Sequence, residues 1–361
     1  MSPSHNHHSP PPQGSPAFTG RRIARALLGV LAWGSLMIGP MLGQNCSSGP
    51  DKGEISGGTR VQGKISSASI QDLEQLRRWF RSIGENYSID DLRKMRSLTI
   101  SFIYISDGGF RLLRHLHELR HLRFNYARFE NASLRHLKHL PNLRVLHVPG
   151  RQLTDAGMAH LRYLPRLEAL SVGTQITDAG LAYLGELRQL RILTLHQTRI
   201  TNRGLAFLKN MSRLRELYLE STSITDEGLE FIRYFPRLRI LDLGGTGVTD
   251  EGLVHLRPLK ELDKIWLKGT RVGDAGLEHL RELPALTRID LRRTRVTDAG
   301  LSRLRRGVRE LNVAETAVTN AGISRLYRLE ELRKLWITRT AVTSSAVTAL
   351  KGRFPKIQVF R

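Results

Sequence analysis

One cysteine, Cys46, stands in 361 residues, so no intrachain disulfide is available and the fold rests on packing alone. Acidic residues are also in deficit, with 33 Asp and Glu against 56 Lys and Arg and a formal net charge of +23. That excess favours acidic partners: an acidic protein patch, an anionic membrane surface or an anionic polysaccharide. Motifs for chemistry are missing too. There is no Gly-rich phosphate loop, no G-x-S-x-G, no H-E-x-x-H and no cysteine nucleophile with partners. The sequence reads as a non-catalytic binder with no cofactor, and it carries no nucleic-acid-binding motif.

What is present begins with a layered N-terminus. Residues 1–20 are rich in Pro, Ser, Gly and His and hold too little apolar surface to order, so a disordered tail is expected. His5, His7 and His8 lie in that tail. Residues 21–42 place Arg21, Arg22 and Arg25 before a charge-free apolar run from Ala26 to Leu42. This is the layout of a signal peptide or an N-terminal membrane anchor. It points to the cell envelope, with the protein anchored or secreted on the extracytoplasmic side. A flexible Gly/Ser linker follows over 43–66. Residues 67–94 place Ile70, Leu73, Leu76 and Phe80 at helical spacing and read as a helical cap.

From Met95 onward the chain repeats itself. Equivalent positions recur at Leu119, Leu143, Leu167, Leu190, Leu214, Leu238, Leu262, Leu286, Val308 and Leu332. A clear unit reads L-x-x-L-x-L-x-x-T-x-[IV]-T-[DN]-x-G-L-x-x-L-x-x-L, as in residues 214–237. The L-x-x-L-x-L stretch sets alternate side chains on one face of a short strand. Thr-Asp pairs such as Thr177-Asp178 and Thr225-Asp226 supply helix N-cap oxygens. The G-L-x-x-L-x-x-L stretch then has helical spacing with one apolar stripe. A column of glycines, Gly157 through Gly322, is costly inside helices and implies close packing of helix on strand. One unit cannot bury its own apolar face, whereas a stack of units can.

In these motifs the sequence resembles the leucine-rich-repeat family over residues 95–356. Its T-D-x-G-L units are similar to those of planctomycete-type bacterial proteins and of F-box leucine-rich-repeat proteins, although no F-box precedes them. The resemblance implies an α/β solenoid, a curved horseshoe of about 11 repeats over 95–361. A parallel sheet would line the concave side, helices the convex side, and Ile357-Gln358-Val359 would close the stack. Thr198, Thr222, Thr246, Thr270, Thr294, Thr316 and Thr340 occupy the place of the family's usual Asn, so its Asn ladder does not carry over intact. Cys46 resembles the lipid-modified cysteine of bacterial lipoproteins by position, while Leu42 and Asn45 depart from that pattern.

In such a solenoid the strand positions between leucines face the concave side. The partner-binding candidates there are Tyr218, Asp242, Lys264, Trp266, Lys268, Arg288, Asp290, Arg292 and Trp336. Aromatics set among charges are the composition of binding hot spots. The plainer alternative is a solvated face with incidental aromatics. A second column, His136, His160, Tyr183, Phe207, Phe231, His255 and His279, falls on the helices. One histidine per repeat does not converge on a point, so stacking between helices is expected there and no metal site. His115, His117 and His121 read as solvated. Arg292, Arg293, Arg295, Arg303, Arg305 and Arg306 form a basic cluster. It supports an alternative reading, an arginine-driven binder of anionic lipid, polysaccharide or nucleic acid.

Overall fold

The structure is a computed structural model and describes residues 68–361; the expectations for the N-terminal tail, the apolar segment, the linker and Cys46 lie outside these residues. Among the described residues, no helix is long and apolar enough to cross a membrane.

Two helices, α1 (Ile70–Ser82) and α2 (Ile89–Lys94), precede the stack. Each starts with a reciprocal capping box. Asp72 N–H donates to Ser69 Oγ at 3.1 Å, and Asp91 N–H donates to Ser88 Oγ at 3.0 Å. Helix α1 buries Leu73, Leu76 and Phe80 completely. Beside them Trp79 lies across Gly109, where a Cβ would meet its indole at 2.9 Å.

Twelve strands follow in one parallel sheet whose spatial order is the sequence order. They are β1 (Ser97–Ser101), β2 (His121–Asn125), β3 (Val145–Val148), β4 (Ala169–Val172), β5 (Ile192–Thr194) and β6 (Glu216–Tyr218). Then come β7 (Ile240–Asp242), β8 (Lys264–Trp266), β9 (Arg288–Asp290), β10 (Glu310–Asn312), β11 (Lys334–Trp336) and β12 (Gln358–Phe360). Register follows the repeat without slippage: Leu217 pairs Leu241, Leu241 pairs Ile265 and Ile265 pairs Ile289. These central residues point inward and are at most 4% exposed, while their neighbours on each strand face the open side. At about 4.8 Å per strand the sheet runs roughly 50 Å along the stack.

The segments opposite the sheet are shorter than regular helices. Several are 3₁₀ helices, including Asn131–His139 and Asp226–Tyr234, and others are single α-turns such as Asp298–Leu301. A 24-residue period leaves little chain after the strand and its turn, and the tighter winding fits that length.

Two features of the repeat differ from expectation. The Thr hydroxyls do cap helices at Thr177, Thr201, Thr297 and Thr319, but not at Thr154 or Thr225. The adjoining Asp or Asn instead reaches into the following repeat. Asp226 Oδ1 accepts Thr249 N–H at 2.8 Å, and its Oδ2 accepts the Thr249 hydroxyl at 2.6 Å. The same pair of bonds joins Asp155 to Thr177, Asp178 to Thr201, Asp274 to Thr297 and Asp298 to Thr319. Asn131, Asn202, Asp250 and Asn320 complete an unbroken ladder that ends at Thr343.

That ladder explains the glycine column, and helix-on-strand packing does not. A Cβ at Gly276 would stand 2.5 Å from Asp250 Oδ1, and the other glycines of the column meet the equivalent Asp or Asn oxygen. The carboxylate of one repeat occupies the space that a side chain of the next would need.

The threonines in place of Asn act within their own repeats. Thr198, Thr222, Thr246, Thr270 and Thr294 donate to the carbonyl three residues back, at 2.6–2.7 Å. The residue before each has positive φ; it is glycine at 245 and 269, and Gln197, Ser221 or Arg293 elsewhere.

The solvated reading fails for His115, which is 8% exposed and lies 3.7 Å from Asp72 of α1. Stacking along the helix column is not seen either. His136 Nε2 instead meets Asp107 Oδ1 at 3.1 Å, and Tyr183 and Phe207 are exposed.

Candidate functional site on the open face of the sheet

Period-two alternation sends Lys264 and Trp266 of β8 to the open face around buried Ile265. Arg288 and Asp290 of β9 do the same around Ile289. Trp266 is in register with Asp242 on one side and Asp290 on the other. Lys268 and Arg292 lie two residues beyond Trp266 and Asp290.

The rings do not stand apart. Tyr218 and Trp266 sit two strands from each other with Asp242 between them, yet their centroids are 5.9 Å apart and the planes 23° from parallel. The two rings lean together over the shorter carboxylate. Asp242 is therefore only 8% exposed, whereas Tyr218 and Trp266 are half-buried. One Asp242 oxygen accepts Gly244 N–H at 2.9 Å; Asp290 does the same with Arg292 N–H, and Asn312 with Ala314 N–H. These side chains hold the turn after their strand as well as facing outward. Tyr218 donates its hydroxyl to Glu216 Oε2 at 2.7 Å.

Burial sets the electrostatics here. It pushes the Asp242 carboxyl up to about 7; Glu220 and Asp290 add to the rise, while Gly244 N–H and Lys268 oppose it. Burial raises Asp290 as well, against Arg292 N–H and the charges of Arg292 and Lys268. The Tyr218 phenol is held far above its ordinary value by burial first and then by Glu216.

Two further residues belong to this face and were not singled out from the sequence. His196 and Glu220 lie two residues beyond the outward positions of β5 and β6, in the same column as Lys268 and Arg292. The imidazole of His196 packs 5.4 Å from the Tyr218 ring. Its Nδ1 lies 3.8 Å from Glu220 Oε2 and 3.9 Å from Asp242 Oδ2. Lys268 Nζ approaches Glu220 Oε1 at 3.7 Å. Extending the alternation by one more step past each strand would have found both.

Trp336 is elsewhere. It lies three strands from Trp266, beyond Asp290 and Asn312, and stacks on Phe360 of β12 with centroids 4.8 Å apart. The arginine cluster is divided as well. Arg292 lies on the open face and Arg293 in the turn, where it pairs with Glu315 at 2.8 Å. Arg303, Arg305 and Arg306 follow the helical turn on the other side of the repeat.

The family model described as Leucine Rich repeat matches residues 211–232 and 237–256, the two units that carry Tyr218, Glu220 and Asp242. No curated protein matches the sequence. Among solved structures, an internalin from Listeria monocytogenes str. 4b F2365 is similar over 80% of this chain and 93% of its own, with a TM-score of 0.55 and 16% identity. The plant peptide hormone receptor RGFR1, solved in complex with RGF2, is similar over 74% of this chain and 51% of its own, with a TM-score of 0.43 and 13% identity. Two units matched in sequence, and one stack of the same unit from β1 to β12, give this chain the leucine-rich-repeat solenoid fold.

Proposed function

We propose that this protein is a non-catalytic interaction module, presented at the cell envelope, that binds a protein partner on the open face of its sheet. The observation that carries this reading is the Tyr218–Trp266 pair, stacked and half-buried among Lys264, Lys268, Arg288 and Arg292. A rigid aromatic platform ringed by charge has the composition of a binding hot spot. Asp242 and Asp290 shape the floor of the platform and the turns beside it. Trp336 with Phe360 forms a second, separate contact near the end of the stack. Presentation at the envelope rests on Arg21–Leu42 in the sequence, and Cys46 is the candidate for lipid attachment. The basic excess favours an acidic partner surface.

The test is capture from native membranes by the full chain, by Trp266→Ala and by Trp336→Ala, at low and high salt. A protein retained at high salt, and bound at least about 30-fold more weakly by Trp266→Ala, is the expected result. Trp336→Ala should cost less. Capture of lipid, polysaccharide or nucleic acid that disappears in salt and ignores both substitutions would transfer the function to the arginines.

A further inference from the structure

We infer that His196, Glu220 and Asp242 form a binding site for one divalent transition-metal ion of the zinc class. Three adjacent repeats each contribute one ligand. The His196 imidazole nitrogen and one oxygen from each carboxylate lie within 4.8 Å of one another. The three do not satisfy each other. His196 Nδ1 is buried and has no hydrogen-bond partner. Asp242 uses Oδ1 for Gly244 N–H, and its Oδ2 faces that nitrogen at 3.9 Å, beyond hydrogen-bond range. A buried nitrogen without a partner and a carboxylate whose side chain is 11% exposed thus converge on one point, and both lack what a cation would supply.

The spacing suits such an ion. Donors about 2.1 Å from a tetrahedral zinc stand about 3.4 Å from one another. The observed 3.8 and 3.9 Å from His196 require closure of about half an ångström, and the two carboxylate oxygens, within 4.8 Å of each other, require at most about 1.4 Å, which side-chain torsions at the ends of β5, β6 and β7 supply. One imidazole with two carboxylates favours zinc and its first-row neighbours over calcium or magnesium, which prefer oxygen alone. The His196 and Glu220 side chains are each about a third exposed, so the point between them is reachable from the open face of the sheet. Lys268, at 3.7 Å from Glu220, is a positive charge beside the point where the ion would sit. The histidines of the helix column offer nothing comparable, because they are spread one per repeat. Metal uptake does not depend on the partner-binding reading, since the chain alone would show it.

The experiment titrates the full chain with cobalt(II) chloride, then displaces cobalt with zinc chloride. Uptake is read from visible cobalt absorption and from Trp fluorescence. A parallel sample carries His5→Ser, His7→Ser and His8→Ser, so that N-terminal histidines do not contribute. One equivalent of four-coordinate cobalt, displaced by zinc and retained in the parallel sample, is expected. His196→Ala and Asp242→Asn should each weaken binding by more than the roughly 10–100-fold that loss of a supporting contact costs. Asparagine keeps the acceptor for Gly244 N–H, and far-UV circular dichroism checks the fold. Lys268→Met should tighten binding. The site is refuted by no uptake below about 1 mM, by equal affinity in His196→Ala, or by uptake lost with the N-terminal histidines.

Discussion

Asp226 and Gly252 show how one residue constrains another a full repeat away. Asp226 binds Thr249 through both oxygens, and its carboxylate fills the space over Gly252. Asp226→Ala should cost about 1–3 kcal/mol in urea unfolding, because Thr249 loses two acceptors in a partly buried setting. In an isolated helix Gly252→Ala would be favourable by up to about 1 kcal/mol. Here the new Cβ meets Asp226 side chain and backbone, so a loss of about 1–3 kcal/mol is expected. Combining the two substitutions should cost less than their sum by at least about 0.5 kcal/mol. Strict additivity would show that the glycine column has another cause. The Thr-Asp pairs and the glycines were both legible in the sequence. Their connection was not, because 23 residues separate the partners and local capping chemistry explains the Thr equally well. The alternation makes Asp242 an outward strand position; its burial follows from two rings leaning across a strand, which no spacing rule encodes.

Elements were the most legible level, since eleven copies of one pattern multiply a signal that a single three-residue strand would barely carry. The buried leucines of each strand follow directly from the alternation. Helix lengths were less readable, because the i, i+3 apolar spacing suits a 3₁₀ turn as well as an α-turn. Helix α1 illustrates an element held by a titratable contact. Burial lowers the pKa of His115, while Asp72 of α1, 3.7 Å away, pulls the other way. With the folded pKa below the unfolded value of 6.5, the unfolded form binds more protons as pH falls through 6.5, so docking stability is lost in that direction. Hydrogen exchange of the α1 amides, corrected for intrinsic rates, should speed up from pH 7 to pH 5. His115→Gln should flatten the difference. Equal protection at both pH values would mean that the buried imidazole plays no part in docking.

At the scale of the whole molecule, charge dominates what packing leaves open. The chain holds 23 more positive than negative side chains, and among the described residues ion pairs such as Arg188–Glu186, Arg239–Glu261 and Arg309–Glu331 are exposed, contributing at most about 1 kcal/mol each. Self-repulsion should outweigh them. Raising sodium chloride from about 10 mM to about 300 mM is therefore expected to raise the thermal midpoint as the screening length shortens. A fall would show that the surface pairs act as a network. That global excess was plain from composition, whereas the small acidic focus at Glu220 and Asp242 within it emerged only from the stacking of repeats.

The rungs between Asp or Asn and Thr have a last consequence, for how a chain like this one changes length. Every rung joins an Asp or Asn oxygen to a backbone N–H of the next repeat, that of Thr in all but the Asp250–Gly273 rung, so the stack has no preferred number of storeys. Excision of residues 202–225 would join Thr201 to Asp226; Asp178 would still face Thr201, and Asp226 would still face Thr249. The rungs already tolerate spacings of 21 to 23 residues, but loss of half a period would leave a carboxylate opposite the wrong backbone. A gene encoding this architecture is thus free to grow or shrink by whole units, and is held in phase by a bond that counts them.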